Sequence, residues 1–141
     1  MDGSKSWDAT QFYRNSKLFN VLTTYKYAAL LESSKIVVVT LTPGWIPYTD
    51  LARESSFIGR IMMKYVVPLL PFTRTLEQGA EVYKKAAFSP EFDGAFGKQL
   101  YLDNTGALVP SSEESRDDAN IDALWKWTWD MLYTKGYTSG L

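Results

Sequence analysis

The sequence predicts an α/β protein with about two parallel strands and four to five helices. Two runs, 35–41 (KIVVVTL) and 98–103 (KQLYLD), are rich in β-branched, aliphatic or aromatic residues and are typical of strands. Helical patterns lie before, between and after them, and a helical connection between two strands predicts a parallel pair with a right-handed crossover. Because 35–41 is almost continuously apolar, we expect that strand to be buried on both faces. Two strands make a small sheet, so the pattern indicates the back half of a larger α/β domain.

The length and composition narrow the class of protein. A chain of 141 residues is long enough for one domain with its own core, so we take 1–141 as a single domain. A formal net charge of −1 gives no attraction to nucleic acid, and the absence of both histidine and cysteine argues against a zinc site, disulfides and thiol chemistry. No run approaches the roughly 20 apolar residues of a membrane span. We therefore expect no metal, no nucleic acid, no integral membrane span and a cytoplasmic location.

The helices follow from apolar periodicity and from end signals. Apolar residues at helical spacing predict a first helix over 12–32. The proline-interrupted segment 45–72 is assigned as a substrate-loop region, with a short helix near 55–67. The sequence Thr-Leu-Glu-Gln resembles a capped helix start and predicts a helix over 75–87. An apolar face rich in tryptophan predicts the C-terminal helix, 117–134.

The first helix carries the candidate chemistry of the chain. Tyr13 lies four positions before Lys17, so the two side chains share one face of the helix, one turn apart. An ammonium group beside a phenol favours the phenolate, which makes the pair a candidate acid/base. The alternative is an exposed tyrosine beside a solvated lysine, and the spacing by itself does not decide between them.

The order of motifs resembles the short-chain dehydrogenase/reductase family. That family carries Tyr-x-x-x-Lys on a helix before its sixth strand, and the strand is followed by Pro-Gly and a threonine. The matching stretches here are YRNSKLFN, the strand some twenty residues later, and PGWIPYTDLARE. The tail from 98 to 134 is also similar to the last strand and helix of fungal members that act in secondary metabolism. This resemblance implies the C-terminal half of a Rossmann-like doubly wound parallel sheet.

The resemblance also implies roles for individual residues. Tyr13 would be the general acid/base at a carbonyl or carbinol oxygen, and Lys17 would assist it and hydrogen-bond the nicotinamide ribose of NADP or NAD. The matched motif positions are Tyr13, Ser16, Lys17, Pro43, Gly44 and Thr49. The cofactor-binding positions would be Tyr13, Lys17, Pro43, Gly44, Ile46 and Thr49.

The segment after Pro-Gly departs slightly from the family pattern. It is one residue longer between Gly44 and Thr49 than usual, so either Tyr48 or Thr49 occupies the place that faces the cofactor. By resemblance, residues 51–72 would shape a pocket for a small apolar organic substrate. From the sequence, 57–72 is open to three interpretations: a substrate lid, a subunit contact or ordinary core.

The larger departure is that these 141 residues contain no glycine-rich strand-to-helix turn for a pyrophosphate. The run at 94–97 precedes a strand and opens no helix, so it is better explained as a turn. We therefore expect a truncated NAD(P)-dependent alcohol/ketone oxidoreductase that is inactive alone, or active only when a partner supplies the missing half. The first alternative is a cofactor-independent isomerase, cyclase or dehydratase that uses Tyr13, and the second is a non-catalytic binding or assembly module. All three predict a homo-oligomer, because the apolar strand needs a neighbour.

Overall fold

The computed structural model describes residues 8–47 and 57–137, and Thr49 lies outside these ranges. In these ranges the chain forms a two-stranded parallel sheet and five α-helices, which confirms the predicted α/β class. The elements in chain order are α1 (Ala9–Leu30), β1 (Val39–Leu41), α2 (Phe57–Ile61), α3 (Leu76–Phe88), β2 (Leu100–Leu102), α4 (Glu113–Arg116) and α5 (Asp118–Thr134).

The chain divides into two compact units. We call the first the helical unit; it comprises Met1–Val38, Gly94–Gln99 and Ser111–Leu141. We call the second the sheet unit; it comprises Val39–Asp93 and Leu100–Pro110. The assignment of 1–141 to a single domain stays a prediction.

Helix α1 begins three residues earlier than the predicted 12–32 because Asp8 caps it. The backbone N–H groups of Thr10 and Gln11 donate to the Asp8 carboxylate at 2.9 and 3.2 Å, which satisfies donors that have no partner inside the helix. Leu22, Tyr25 and Ala28 are the buried residues of this helix.

The helical unit is built where α1 contacts α4 and α5. Leu22 and Tyr25 pack with Ile121 of α5 in its core. The buried Tyr25 hydroxyl hydrogen-bonds Ser111 Oγ at 2.7 Å, and the hydroxyl of the buried Ser115 donates to the same oxygen at 2.7 Å. The first of these hydrogen bonds connects the polar linker before α5 to Tyr25 of α1.

The first strand is shorter than the predicted 35–41. Lys35 adopts a left-handed conformation with φ 56°, and the N–H of Ile36 donates to Leu31 O at 3.4 Å, so the chain first closes the end of α1. Strand β1 therefore starts at Val39. The expectation that this strand is buried on both faces is also wrong for β1, whose residues are all half-buried. One neighbouring strand and α3 cover only part of it.

The sheet unit pairs β1 with β2 in parallel register. Val39 is opposite Leu100, Thr40 opposite Tyr101 and Leu41 opposite Leu102. Leu100 and Leu102 of β2 are buried, with Leu102 fully so. The predicted strand 98–103 is thus present in shorter form.

Helix α3 confirms the predicted capping box. The N–H of Gln78 donates to Thr75 Oγ1 at 3.2 Å, and the N–H of Thr75 donates to Gln78 Oε1 at 3.0 Å. The helix predicted near 55–67 is regular only over α2; it continues as a π-helical turn and then as a 3-10 turn, Val67–Leu69. Pro68 lies in that last turn, where it cannot donate a backbone hydrogen bond to a longer α-helix.

Candidate active site

Tyr13 and Lys17 form a pair on the exposed surface of α1. The ammonium nitrogen of Lys17 lies 5.3 Å from the centroid of the Tyr13 ring, over its face. This is cation–π geometry, which stabilises the charged lysine beside the ring. The Tyr13 side chain is 58% exposed, so its hydroxyl can be reached by a ligand. The geometry places a proton-bearing phenol and a positive charge on one accessible face.

Ser16 belongs to the helix rather than to a ligand site. Its hydroxyl donates to the carbonyl oxygen of Tyr13 at 2.7 Å, one turn back along α1. Such a bond occupies the hydroxyl and keeps its side chain close to the helix backbone. Of the Tyr-x-x-Ser-Lys pattern, only the tyrosine and the lysine present their functional groups to each other.

The predicted cofactor segment lies in the sheet unit and begins just after β1. Gly44 has φ +83°, and a Cβ there would stand 2.6 Å from Arg74 Cγ, so both the backbone and the available space require glycine. A Cβ at Gly79 of α3 would stand 2.5 Å from Ile46 Cδ1 and 3.6 Å from Pro43 Cβ. The side chains of Pro43 and Ile46 therefore lie against Gly79 of α3.

The predicted site residues thus fall into two groups. Tyr13 and Lys17 lie together in the helical unit, whereas Pro43, Gly44 and Ile46 lie together in the sheet unit. Thr49 and Tyr48 fall outside the described residues.

A cleft of about 410 Å³ in the helical unit was not anticipated from the sequence. At 100° per residue, Leu18 and Leu22 lie roughly 140° and 180° around α1 from Tyr13, so the cleft opens on the opposite face from the Tyr–Lys pair. The only sequence signal for it was the apolar spacing on α1, which indicates a core face equally well. It is lined by Leu18, Phe19, Leu22, Glu114, Asn120, Leu124 and Trp127.

Arg74 and Asn104 are further residues that the sequence did not single out. Both lie beside Gly44 in the sheet unit, and the Nε of Arg74 is buried without a hydrogen-bond partner among the described residues. The neighbouring Asp103 has a lowered pKa, chiefly because the hydroxyl of Thr105 hydrogen-bonds its carboxylate. No sequence pattern joins positions 44, 74 and 104, because their contact depends on the fold.

Within the described residues, no cluster of three or more acidic side chains is arranged to hold a metal ion. In the same part of the chain, no helix is both long and apolar enough to cross a lipid bilayer.

Comparison with known proteins supports the resemblance to the short-chain dehydrogenases/reductases. The chain is 32% identical over 120 residues to a WW domain-containing oxidoreductase of Drosophila melanogaster, covering 85% of this chain and 28% of the relative. It is 27% identical over 125 residues to human retinol dehydrogenase 14, covering 89% of this chain and 36% of the relative. It is also 27% identical over 132 residues to human retinol dehydrogenase 11, covering 94% and 39%.

These similarities show that the chain is related to the short-chain dehydrogenases/reductases, a family of oxidoreductases. The chain spans about 28–39% of the length of the relatives named here. No family model matches the sequence, and no solved structure is significantly similar to it.

Proposed function

We propose that the chain supplies the acid/base and substrate-side part of an NAD(P)-dependent alcohol/ketone oxidoreductase. The observation that carries this proposal is the exposed Tyr13 phenol with the Lys17 ammonium 5.3 Å from its ring, in a chain related to oxidoreductases. The substrate would be a small apolar organic alcohol or ketone. The proposal extends to a cytoplasmic location and to an origin in fungal secondary metabolism.

The chemistry proposed for Tyr13 is proton transfer at one atom of the substrate. Its hydroxyl would donate a proton to a carbonyl oxygen during reduction, or accept one from a carbinol during oxidation. Lys17 would stabilise the negative charge left on the phenol oxygen and could donate to a ribose hydroxyl of the cofactor. To donate to the ribose, the Lys17 ammonium would move away from the face of the Tyr13 ring. A long and exposed side chain can make this move at small cost.

The nicotinamide cofactor would supply or accept the hydride, and these 141 residues fit it only in part. By family resemblance, Lys17 would hydrogen-bond its ribose, and Pro43, Gly44 and Ile46 are separately proposed as cofactor-binding positions. No glycine-rich turn for the pyrophosphate occurs in the sequence, so the proposal places that part of the site outside these residues. Accordingly, we assign no hydride-transfer step to the residues of this chain.

The experiment combines cofactor binding with complementation. NADPH and NADH would be titrated separately into the purified chain in a calorimeter. We expect no measurable heat of binding. The chain would then be mixed with the part of human retinol dehydrogenase 11 that lies outside the matched 132 residues. The substrate would be all-trans-retinal. Its reduction would be monitored as the decrease in absorbance of the reduced cofactor. We expect turnover only in the mixture.

Substitution of Tyr13 tests the assigned role. Tyr13→Phe should lower the turnover of the complemented enzyme by at least about 100-fold, the usual contribution of a positioned acid/base. Tyr83→Phe is the matched control, because Tyr83 is 56% exposed, nearly the same as Tyr13. Full activity of Tyr13→Phe would contradict the proposal. Turnover of a substrate without any dinucleotide, abolished by Tyr13→Phe, would favour a cofactor-independent isomerase, cyclase or dehydratase instead.

A second candidate function, as an assembly module, is favoured by the strand β1. All three of its residues are half-buried, and no strand pairs with its other edge in the part of the chain that is described. The N–H of Thr42 donates to Leu102 O of β2, so alternation along the strand turns the N–H of Val39 away from β2. In this candidate function, a second copy of the chain would pair with that edge.

Light scattering tests this association. The chain should form dimers or larger species at micromolar concentration, and Val39→Pro should shift them toward monomer. Proline at the first strand position removes the outward donor while leaving the pairing with β2 intact. An unchanged circular dichroism spectrum would show that the fold is kept. A stable monomer for the unsubstituted chain would rule out assembly through this edge.

A further inference from the structure

The backbone of Arg74 is fixed beside the turn that follows β1. Its N–H donates to the carbonyl oxygen of Trp45 at 2.9 Å. The Trp45 ring stacks on Phe72, with centroids 5.7 Å apart and planes 10° from parallel. The guanidinium side chain therefore starts from a defined position rather than from a free loop.

The side chain of Arg74 runs past Gly44. A Cβ at Gly44 would meet Arg74 Cγ at 2.6 Å, which is why a glycine with no side chain is needed there. Along this path the Nε of Arg74 becomes buried, yet it has no hydrogen-bond partner within the described ranges. Buried N–H groups in native proteins are nearly always paired, so this one needs an acceptor.

Asn104, which follows strand β2, also lies beside Gly44. Its Cβ and Nδ2 would lie 3.1 and 3.5 Å from a Cβ at Gly44. Its side-chain amide, which is half-buried, makes no hydrogen bond to any described residue. Gly44 follows the carboxyl end of β1, and Asn104 follows that of β2. This edge of a parallel sheet is where α/β proteins place their ligands.

Besides the hydrogen bond from Thr105, the positive charge of Arg74 contributes to the lowered pKa of Asp103, so this carboxylate offsets the charge in part without forming an ion pair. Asp103, next to Asn104, already accepts hydrogen bonds on Oδ1 from the N–H and the hydroxyl of Thr105, at 2.7 and 2.6 Å, and from the N–H of Ala107 at 3.0 Å. No carboxylate of the described residues lies within ion-pair distance of Arg74. The start of α3 is closed by its own capping box, so the helix end is not part of this arrangement.

We propose that Arg74 and Asn104 form an anion-binding subsite at the carboxyl edge of the sheet. It would take a carboxylate or phosphate group of a ligand, with the Nε–H of Arg74 and the side-chain N–H of Asn104 as donors. A guanidinium matches the planar oxygens of either group better than an ammonium does. The subsite lies in the sheet unit and does not depend on the role of Tyr13.

Nuclear magnetic resonance of the ¹⁵N-labelled full chain tests the proposal through the Nε–H signal of Arg74. The chain would be titrated with inorganic phosphate and, separately, with acetate, at constant ionic strength held with sodium chloride. We expect saturable shifts of the Arg74 Nε signal and of the Gly44 and Asn104 amides. Saturation by acetate alone would identify a carboxylate site, and saturation by phosphate alone would identify a phosphate site.

Matched variants separate this subsite from general charge effects. Arg74→Met should raise the apparent dissociation constant at least about tenfold, as expected for loss of a charge-assisted hydrogen bond. Asn104→Ala should raise it less while leaving the fold intact. Arg116→Met is the control, because the Nε–H of Arg116 already donates to Ser111 O at 3.1 Å.

Two results would overturn the proposal. Linear, equal shifts at the Nε signals of Arg14, Arg74 and Arg116 would show adventitious ions only. A shift of the Arg74 Nε signal on Asp50→Asn or Glu54→Gln, without added anion, would show that a carboxylate of the chain itself is its partner.

Discussion

Substitution of Gly44 by alanine should destabilise the sheet unit through two separable effects. Gly44 has φ +83°, a left-handed conformation that costs a residue with a Cβ about 1–2 kcal/mol. The added carbon would also stand 2.6 Å from Arg74 Cγ, whereas non-bonded carbons rest at about 3.5–4.0 Å. Relieving that overlap requires Arg74 to shift, at a further cost of about 1–3 kcal/mol. We expect a total loss of about 2–5 kcal/mol.

Gly106→Ala provides the control within the same unit. Gly106 has a similar φ, +79°, but a Cβ there would meet only Lys85 Cδ at 3.6 Å and Val82 Cγ2 at 3.9 Å, which are ordinary contacts. Urea unfolding followed by circular dichroism, with equal m-values checked first, would give both free energies of unfolding. Losses that agree within about 0.5 kcal/mol would mean that Arg74 does not pack against position 44, and would refute the reasoning.

Three further outcomes are expected. Tyr25→Phe should lower the free energy of unfolding by about 1–2 kcal/mol in urea, because the half-buried Ser111 loses the phenol as a hydrogen-bond partner. Thr75→Ala should cost about 1 kcal/mol and reduce helicity by circular dichroism, since it removes the cap of α3. The hydrogen bond from Thr105 lowers the pKa of Asp103 below its ordinary value of 3.8. The ionised carboxylate therefore stabilises the fold above about pH 3.8, and this stabilisation is lost as the pH falls through the lower pKa of the folded state. Asp103→Asn should make the urea unfolding midpoint fall less steeply with decreasing pH in this acidic range.

The helices were the most predictable part of the fold, because their signals are local. The capping box of α3 is readable from four consecutive residues, and the apolar spacing of α1 from its own sequence. The start of β1 was not predictable, because Lys35 adopts a left-handed conformation that lysine does not favour by itself. Only the closing turn of α1, formed by contacts from Leu31 to Ile36, explains it.

The candidate site was predictable only where it follows from spacing along a helix. Four positions place Tyr13 and Lys17 on one face, but the spacing does not show that the ammonium lies over the ring. The surroundings of Arg74 could not be predicted either, because Gly44 and Asn104 are 30 residues from it in opposite directions along the chain. Parallel pairing of β1 with β2 brings them to one edge.

The aromatic side chains of α5 continue a series of rings that begins on α1. Tyr27 meets Trp125 with centroids 5.4 Å apart, and the distances from Trp125 to Trp129 and from Trp129 to Tyr133 are both 5.9 Å. At such separations excitation absorbed by a tyrosine passes to the neighbouring indole before it is emitted. Because Tyr27 and Trp125 lie on different helices, separation of α1 from α5 on unfolding weakens their transfer and reports on that packing without any label.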